Sequence, residues 1–505
     1  MGEKIITRSS VLFAVTETTE GTPVAPTGAT QAVELQDGFD CSPQFETLQT
    51  ASLRSSIGRS KPIIGGENPA MQFSHYLKAS GTAGTAPEWK LYAKSLFGGE
   101  EVEGTEYTTT VGSTVTSLAV TSIGANGFAG QALLIQDPVN GSRLRAAHSL
   151  TTNAAEMSFS LPTAPGSGVS IGKPVTYYPA NSGHPTFTSW LYMGNGGTTF
   201  MLAGSRCTSM TITAEANQLI NMDFDVQARG FYQNPIEITA STCYLDWTDD
   251  EGTFAAAVPI KWYKSPHELA SALQVVMRAA SAGETATVTY SDTTGKFTIR
   301  TTGTVLSLLW NTGANTANTI GTKIGFSVAA DDSGTGATTG YTSDNAQSFA
   351  APYTPTYDDA DALVAKNMEV MFGDQDDYVC AEPSRVVVTV SNTVSRQGSI
   401  CSETGTGDSR VTGRDVSVQM TVLLEKYDAD KFERYRSNTE SRFQFSFGEK
   451  SGGNWIKGKC GIFYLKYGTI TEYDPVDIDG QVGLNVTITG FVPEDGSSEC
   501  FLSLT

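Results

Sequence analysis

Apolar and polar residues alternate with a period of two along much of the chain. Met71, Phe73, His75 and Leu77 alternate with Gln72, Ser74, Tyr76 and Lys78. Met222, Phe224 and Val226 alternate with Asp223, Asp225 and Gln227, and Val416, Val418, Met420 and Val422 with Ser417, Gln419, Thr421 and Leu423. This period predicts strands with one buried face. Further strands are predicted over Val11–Thr16, Phe187–Met193, 208–214, 219–231, 285–290, Lys296–Arg300, 386–390, 442–447 and 484–491. Asn140-Gly141 between two apolar runs predicts a tight hairpin. Helical spacing is rarer. Trp89, Tyr92, Ala93 and Leu96 follow i, i+3, i+4, i+7 just after Pro87. The clearest helix starts at Ser265 with Pro266 and Glu268 as a capping box, carries Leu269, Leu273, Val276 and Met277 on one face, and ends before Gly283. A short third helix, capped by Asp428, carries Phe432 and Tyr435.

The texture of these patterns divides the chain. Residues 1–103 with 184–246, and residues 351–505, share one plan: strand, long polar loop, strand, short helix, Gly-rich hairpin, strand ending in Gly-Phe. Gly204-Ser205-Arg206-Cys207 matches Gly458-Lys459-Cys460, and Ala228-Arg229-Gly230-Phe231 matches Ile488-Thr489-Gly490-Phe491. In that register Met222, Phe224 and Val226 fall on Val482, Leu484 and Val486. The two polar loops, 53–61 and 395–414, carry Arg54, Arg59, Lys61, Arg396, Arg410 and Arg414. A Thr/Ser/Gly-rich segment, 104–183, is read as an all-β module inserted in the first of these halves, and residues 247–350, between the two halves, as an α+β module. The expected fold is mainly β: a duplicated sandwich or half-barrel domain plus two smaller modules. A length of 505 residues suits three to four domains.

Composition narrows the function. With 51 Gly and only 17% charged residues, the chain suits strands and turns and excludes a coiled coil. A net charge of −20 argues against a general phosphate-binding surface. The apolar stretch 11–15 is short for a secretory signal and no run reaches the length of a membrane span, so synthesis and retention in the cytoplasm without a membrane anchor are expected. Seven widely spaced cysteines with no Cys-x-x-Cys read as reduced, mostly buried thiols. His75, His148, His184 and His267 form no metal-binding pattern. The Gly166–Lys173 stretch fails as a phosphate loop because Ser167 and Pro174 replace required residues. Asp477, Asp479 and Gly480 fail as a calcium loop because Pro475 and Val486 occupy ligand positions. The expectation is a non-enzymatic protein without cofactor or metal.

Thr18-Thr19-Glu20-Gly21-Thr22-Pro23 resembles the N-terminal signature of tail tube proteins of long-tailed bacteriophages. Residues 190–231, with a Gly-rich turn and Gly-x-x-Cys, resemble the end of one tail tube domain, and residues 391–491 resemble a second. The resemblance spans the outer segments and leaves out the two middle modules. It implies a structural virion protein whose half-barrel domains, each with a flanking helix, form rings that stack into the tube through which DNA leaves the capsid. It implies a virion-tail location, and tape measure, tail terminator and baseplate proteins as partners. Duplication would let three chains supply six ring positions, with a hexamer as the rival. Asp223, Asp225, Gln227, Asn485 and Thr487 would then line the lumen, where acidic side chains repel phosphates in transit. The basic loops would reach the neighbouring ring, and the middle modules would project outward. A competing reading from composition is a multi-domain β-rich adhesin or glycan-binding surface protein.

Overall fold

A computed structural model describes residues 4–51, 60–123, 127–194, 196–335, 340–425, 429–478 and 480–505, without the side chains of Gly334 and Thr335. The fold is mainly β, with a half-barrel sheet and several small sheets. The chain forms two compact units: Met1–Phe13, Thr188–Ala203 and Gly230–Thr354 in the first, Ala14–Phe187, Gly204–Arg229 and Pro355–Thr505 in the second. The predicted helix–hairpin segment thus shares a unit with part of the region expected in the first tube-like domain.

The second unit is built on eight strands, labelled here in chain order: β1 Asp40–Ser42, β2 Ala70–Tyr76, β3 Thr198–Glu215, β4 Asn221–Gln227, β5 Arg385–Gly398, β6 Thr406–Leu423, β7 Asn454–Ile478 and β8 Gln481–Gly490. They pair antiparallel in the order β1-β2-β4-β3-β5-β6-β8-β7, with β3 entering from Gly204 onward. The order β1-β2-β4-β3 recurs as β5-β6-β8-β7, and β3 pairs with β5 from Ser209↔Ser391 to Glu215↔Arg385. Strands of both outer segments therefore belong to one sheet. Its apolar face carries Phe73, Phe224, Ile212, Val388, Val418 and Val486, all buried.

A second sheet runs Gly98–Val102, Val175–Pro179, Cys500–Leu504, the first part of β7, Ser441–Ser451, Glu369–Gly373 and Tyr378–Ala381. Helix α1, Lys90–Phe97, packs Tyr92 against Phe73, Phe224 and Phe187. The predicted helical face is the buried one: Trp89, Tyr92, Ala93 and Leu96 have no exposed surface. The predicted hairpin at Asn140-Gly141 joins Ala132–Asp137 to Gly141–Thr151 within a six-stranded sheet over residues 107–171. Strand Ala132–Asp137 is buried on both faces. Leu133 and Ile135 enter the module's own core, while Ala132 and Leu134 join Trp455, Ile462, Tyr464 and Phe501. Val175–Pro179, placed in this module by texture, instead pairs with the larger sheet.

Three local expectations change. The polar stretch 395–414 is mostly strand, the two arms of the β5–β6 hairpin, with a tip at 399–405. One face of these arms is exposed and the other packs through the polar side chains of Arg396, Ser409 and Arg414, so no apolar stripe announces them. Helix α3, Asp430–Ser437, buries Lys431 and Arg434 while Phe432 and Tyr435 stay partly exposed beside Tyr473. Its expected cap, Asp428, lies outside the described residues.

The first unit centres on α2, Pro266–Ala280, whose Leu269, Leu273 and Met277 pack with Trp247, Phe297 and Trp310. Ser265 accepts from Glu268 N as predicted, but the Glu268 carboxylate turns to Lys264 N at 2.6 Å and Lys261. The helix stops at Ala280, before Gly283. A four-stranded sheet, Gly252–Ala257, Tyr244–Asp249, Val305–Leu308 and Asp332–Thr335, and a three-stranded sheet containing the hairpin predicted over 285–300 and formed by Thr287–Ser291 and Lys296–Arg300 belong to the unit. The shared core also includes Ile236, Ile238 and Cys243, so it begins ahead of the boundary read at 247.

Candidate functional site

The side of the eight-stranded sheet opposite its apolar core is a polar surface. Residues paired across neighbouring strands share a face. Asp223 is therefore flanked by Ser74 and Thr211, and Asp225 by Gln72 and Ser209. Asn485 lies between Thr421 and Asp474, and Thr487 between Gln419 and Glu472. Hydroxyls fix the acids: Ser74 Oγ donates to Asp223 Oδ1 and Ser209 Oγ to Asp225 Oδ2, both at 2.5 Å. Thr421 Oγ1 donates to Asn485 Oδ1 and Thr487 Oγ1 to Glu472 Oε2, both at 2.8 Å. Gln227, opposite Ala70 and Arg206, lies farther along the same strand. All five residues singled out from the sequence thus lie on one face. Sequence reading missed the acids Glu472 and Asp474, because β7 shifts register between Ile470 and Glu472 and breaks the alternation there.

The same shift corrects the internal alignment. β3 shifts between Cys207 and Ser209, opposite Val226 and Asp225. β7 shifts opposite Ile488 and Thr487. Asp225 therefore corresponds to Thr487 and Asp223 to Asn485, a slip of one pleat from the register read from sequence. Cys460, matched there to Cys207, instead lies in the outer part of β7 opposite Gly448. A two-residue slip preserves every inward and outward position, so alternation alone cannot detect it.

The described basic residues do not form one group. Arg54 and Arg59 lie outside the described residues. Lys61 and Arg410 are exposed. Arg396 is turned inward and donates to the carbonyls of Ala228 and Gly204. Burial, reinforced by Arg206 and Arg229 and opposed by Glu20, brings its pKa down to about 10. Arg414 donates to Ala180 O and pairs with buried Glu499 at 3.2 Å. These two arginines tie segments of the unit together.

The motif at 18–23 has a structural task within this unit. Glu20 Oε1 accepts from Ser409 N at 2.8 Å and Ser409 Oγ at 2.6 Å, and Glu20 Oε2 pairs with Arg206 at 3.2 Å. Arg206 also donates to His184 O at 2.6 Å. Glu17 accepts from Gly204 N and Gly21 N at 2.8 and 2.9 Å. Gly21 has φ +77°, and a Cβ there would stand 3.0 Å from Arg229 Cδ, so glycine fits both the backbone and the space. The motif clamps β6 to β3. Neither family models nor curated proteins match the chain.

Glu34, His75 and Glu88 gather ligand-type atoms. The ammonium of Lys78 already sits among them, 2.8 Å from Glu34 and 3.3 Å from Glu88. Burial opposes the Glu88 charge, but the bond with His75 and the N–H of Asp358 hold its carboxyl below the ordinary value. Burial likewise opposes the Lys78 charge, and Glu34 with Glu88 outweighs it. Lys78, His75 and Glu88 form a buried polar network with exposed Glu34 at its edge. Among the described residues, four cysteines are buried, Cys41 is intermediate, and Cys380 and Cys401 are exposed; all are free thiols. No described helix is long and apolar enough to cross a membrane.

Proposed function

We propose that the chain is a structural protein that assembles into stacked rings forming a phage tail tube. The observation that carries this reading is the repeated strand order, joined inside one chain by the β3–β5 ladder. The ends of the eight-stranded order are β1 and residues 472–478 of β7, which pair on one side only among the described residues. A heterologous contact repeating the β3–β5 join between β7 of one chain and β1 of the next closes into a ring. Three chains supply six half-units. The polar face would line the lumen, with Asp223, Asp225, Glu472 and Asp474 disfavouring adhesion of DNA phosphates during passage. The tape measure, terminator and baseplate proteins would be its partners in the virion tail. Electron microscopy of the purified full chain tests this reading. Hollow tubes or rings are expected; discrete particles that bind glycans would instead favour a surface adhesin.

A further inference from the structure

In the first unit, strand Gly252–Ala257 ends the four-stranded sheet and pairs only with Tyr244–Asp249 among the described residues. Its neighbour fixes where its backbone groups point. Tyr244 O and Asp246 O accept from Ile320 N and Leu309 N on the far side. Their partners Ala257 and Ala255 therefore turn their own N–H and C=O groups outward, and Thr253 follows by alternation. Thr253, Ala255 and Ala257 are exposed, while Phe254 and Ala256 pack on the core, Phe254 stacked on Trp247 at 5.5 Å. Nothing in Gly252–Ala257 guards this edge, which holds no charge, no proline and no bulge. Helix α2 runs beside the strand. One flank of α2 is bound to residues 286–288: Gln274 Oε1 accepts from Val288 N at 3.2 Å and Arg278 Nε donates to Ala286 O at 2.7 Å. The opposite flank carries Ala272, Val275, Val276 and Ala279, three and four residues apart, with Val275 65% exposed.

We propose that this edge receives an extended segment of another protein, added as a further strand and flanked by the apolar side of α2. The segment is uncharged along its middle and basic at the end beside Gly252. Main-chain groups of Thr253, Ala255 and Ala257 supply affinity and register, and small apolar side chains against α2 supply the fit. The charge follows from the turn that leads into the strand. Asp250 and Glu251 are exposed. Among the described residues their carboxylates accept only from neutral donors, Thr304 N and Oγ1 for Asp250, Ser281 Oγ and Gly283 N for Glu251. Glu284, which accepts from Asp250 N at 3.1 Å, adds to the same charge. A lysine or arginine of the added segment would meet these acids. At the other end Lys261 is already matched by Glu268 at 2.5 Å. A second copy of the same edge is the rival occupant. It needs a two-fold axis between chains, which a one-way stack of rings lacks; this exclusion alone rests on the function proposed above.

The probe is a short capped peptide of alternating valine and threonine with lysine at one end, titrated against the full chain by fluorescence anisotropy. It should bind. N-methylation of alternate amides along its pairing side keeps the side chains and should weaken binding about tenfold or more. Exchanging its lysine for glutamate should weaken binding several-fold. In the protein, Ala255→Pro removes an outward N–H, so the melting temperature should hold while probe affinity falls about tenfold or more. The N-methylated probe needs no variant and decides alone if Ala255→Pro does not fold. Failure of the lysine probe to bind, equal binding of its N-methylated form, or unchanged binding by folded Ala255→Pro overturns the added strand. Equal binding of the glutamate probe overturns the basic end. A dimer of the unmodified chain that Ala255→Pro abolishes would give the edge to a second copy instead. Rings are scored separately by microscopy, and their absence would overturn the ring reading while the probe results stand.

Discussion

Glu20 shows what residue-level chemistry adds to a motif. In the sequence it stands out only through resemblance to a family signature. In the folded chain its carboxylate binds Arg206 and both donors of Ser409, with both ion-pair side chains largely buried. Removing one partner of a buried pair leaves the other charge uncompensated. Glu20→Ala should therefore lower unfolding free energy by about 3 kcal/mol in chemical denaturation, far more than an exposed pair would cost. His148 yields a pH prediction. Its Nδ1 lies 2.9 Å from Tyr464 Oη, and Arg442 approaches its Nε2 at 3.4 Å. Burial, then Arg442 and Lys466, press its pKa down to about 3. The unfolded chain takes up this proton below its ordinary value near 6.5 while the folded chain does not. Its contribution is thus full above 6.5 and is lost as pH falls toward 3. Glu88, also held low, adds its loss at more acid pH. Urea midpoints should fall between pH 7 and 5, and less steeply in His148→Gln. An equal slope in that variant would remove His148 from the explanation.

Among elements, those with a one-sided environment were legible from sequence. The alternation in β2, β4 and β6, the Ser265-Pro266 start of α2 and the Asn140-Gly141 turn each express one local rule, and each element is present. Legibility failed where no apolar face alternated with a polar one. The β5–β6 arms are exposed on one face and packed through polar side chains on the other, and read as loop. Ala132–Asp137 is dry on both faces, so its second partner surface left no period to read. That strand bears on the expectation that both middle modules are outward decorations. Gln444, fully buried, donates to Leu144 O and accepts from Ser158 Oγ and Ala146 N. Removing residues 107–171 would expose Trp455, Ile462, Tyr464 and Phe501 and leave Gln444 without these partners. A chain with that segment replaced by a Gly/Ser linker should be insoluble or lose several kcal/mol of stability, since each large apolar side chain left bare forfeits about 1.5–3 kcal/mol. A soluble variant with an unchanged melting temperature would restore the decoration reading.

For the whole molecule, the proposed ring turns the repeat into a prediction of geometry. If each half-unit occupies one of six positions, three chains close the ring and the β3–β5 join alternates with its β7–β1 counterpart. The two joins are not equal. The internal one is a ladder from Ser209↔Ser391 to Glu215↔Arg385, whereas β1 is three residues long and the free edge of β7 contains Pro475. Short or proline-bearing edges protect a free chain from indiscriminate pairing, so closure should need all three chains at once and show few dimers. The polar face should carry the same alternation, with Asp223 and Asp225 in one half facing Asn485 and Thr487 in the other. Native mass measurement of rings should give three times the 53.6 kDa chain, and a reconstruction should show three-fold symmetry with six similar half-units. Six chains per ring would mean that only one half-unit of each chain builds the wall, and that the β3–β5 join has no counterpart between chains. Abundant stable dimers would point to an isologous contact instead, which cannot extend the eight-stranded order around a ring.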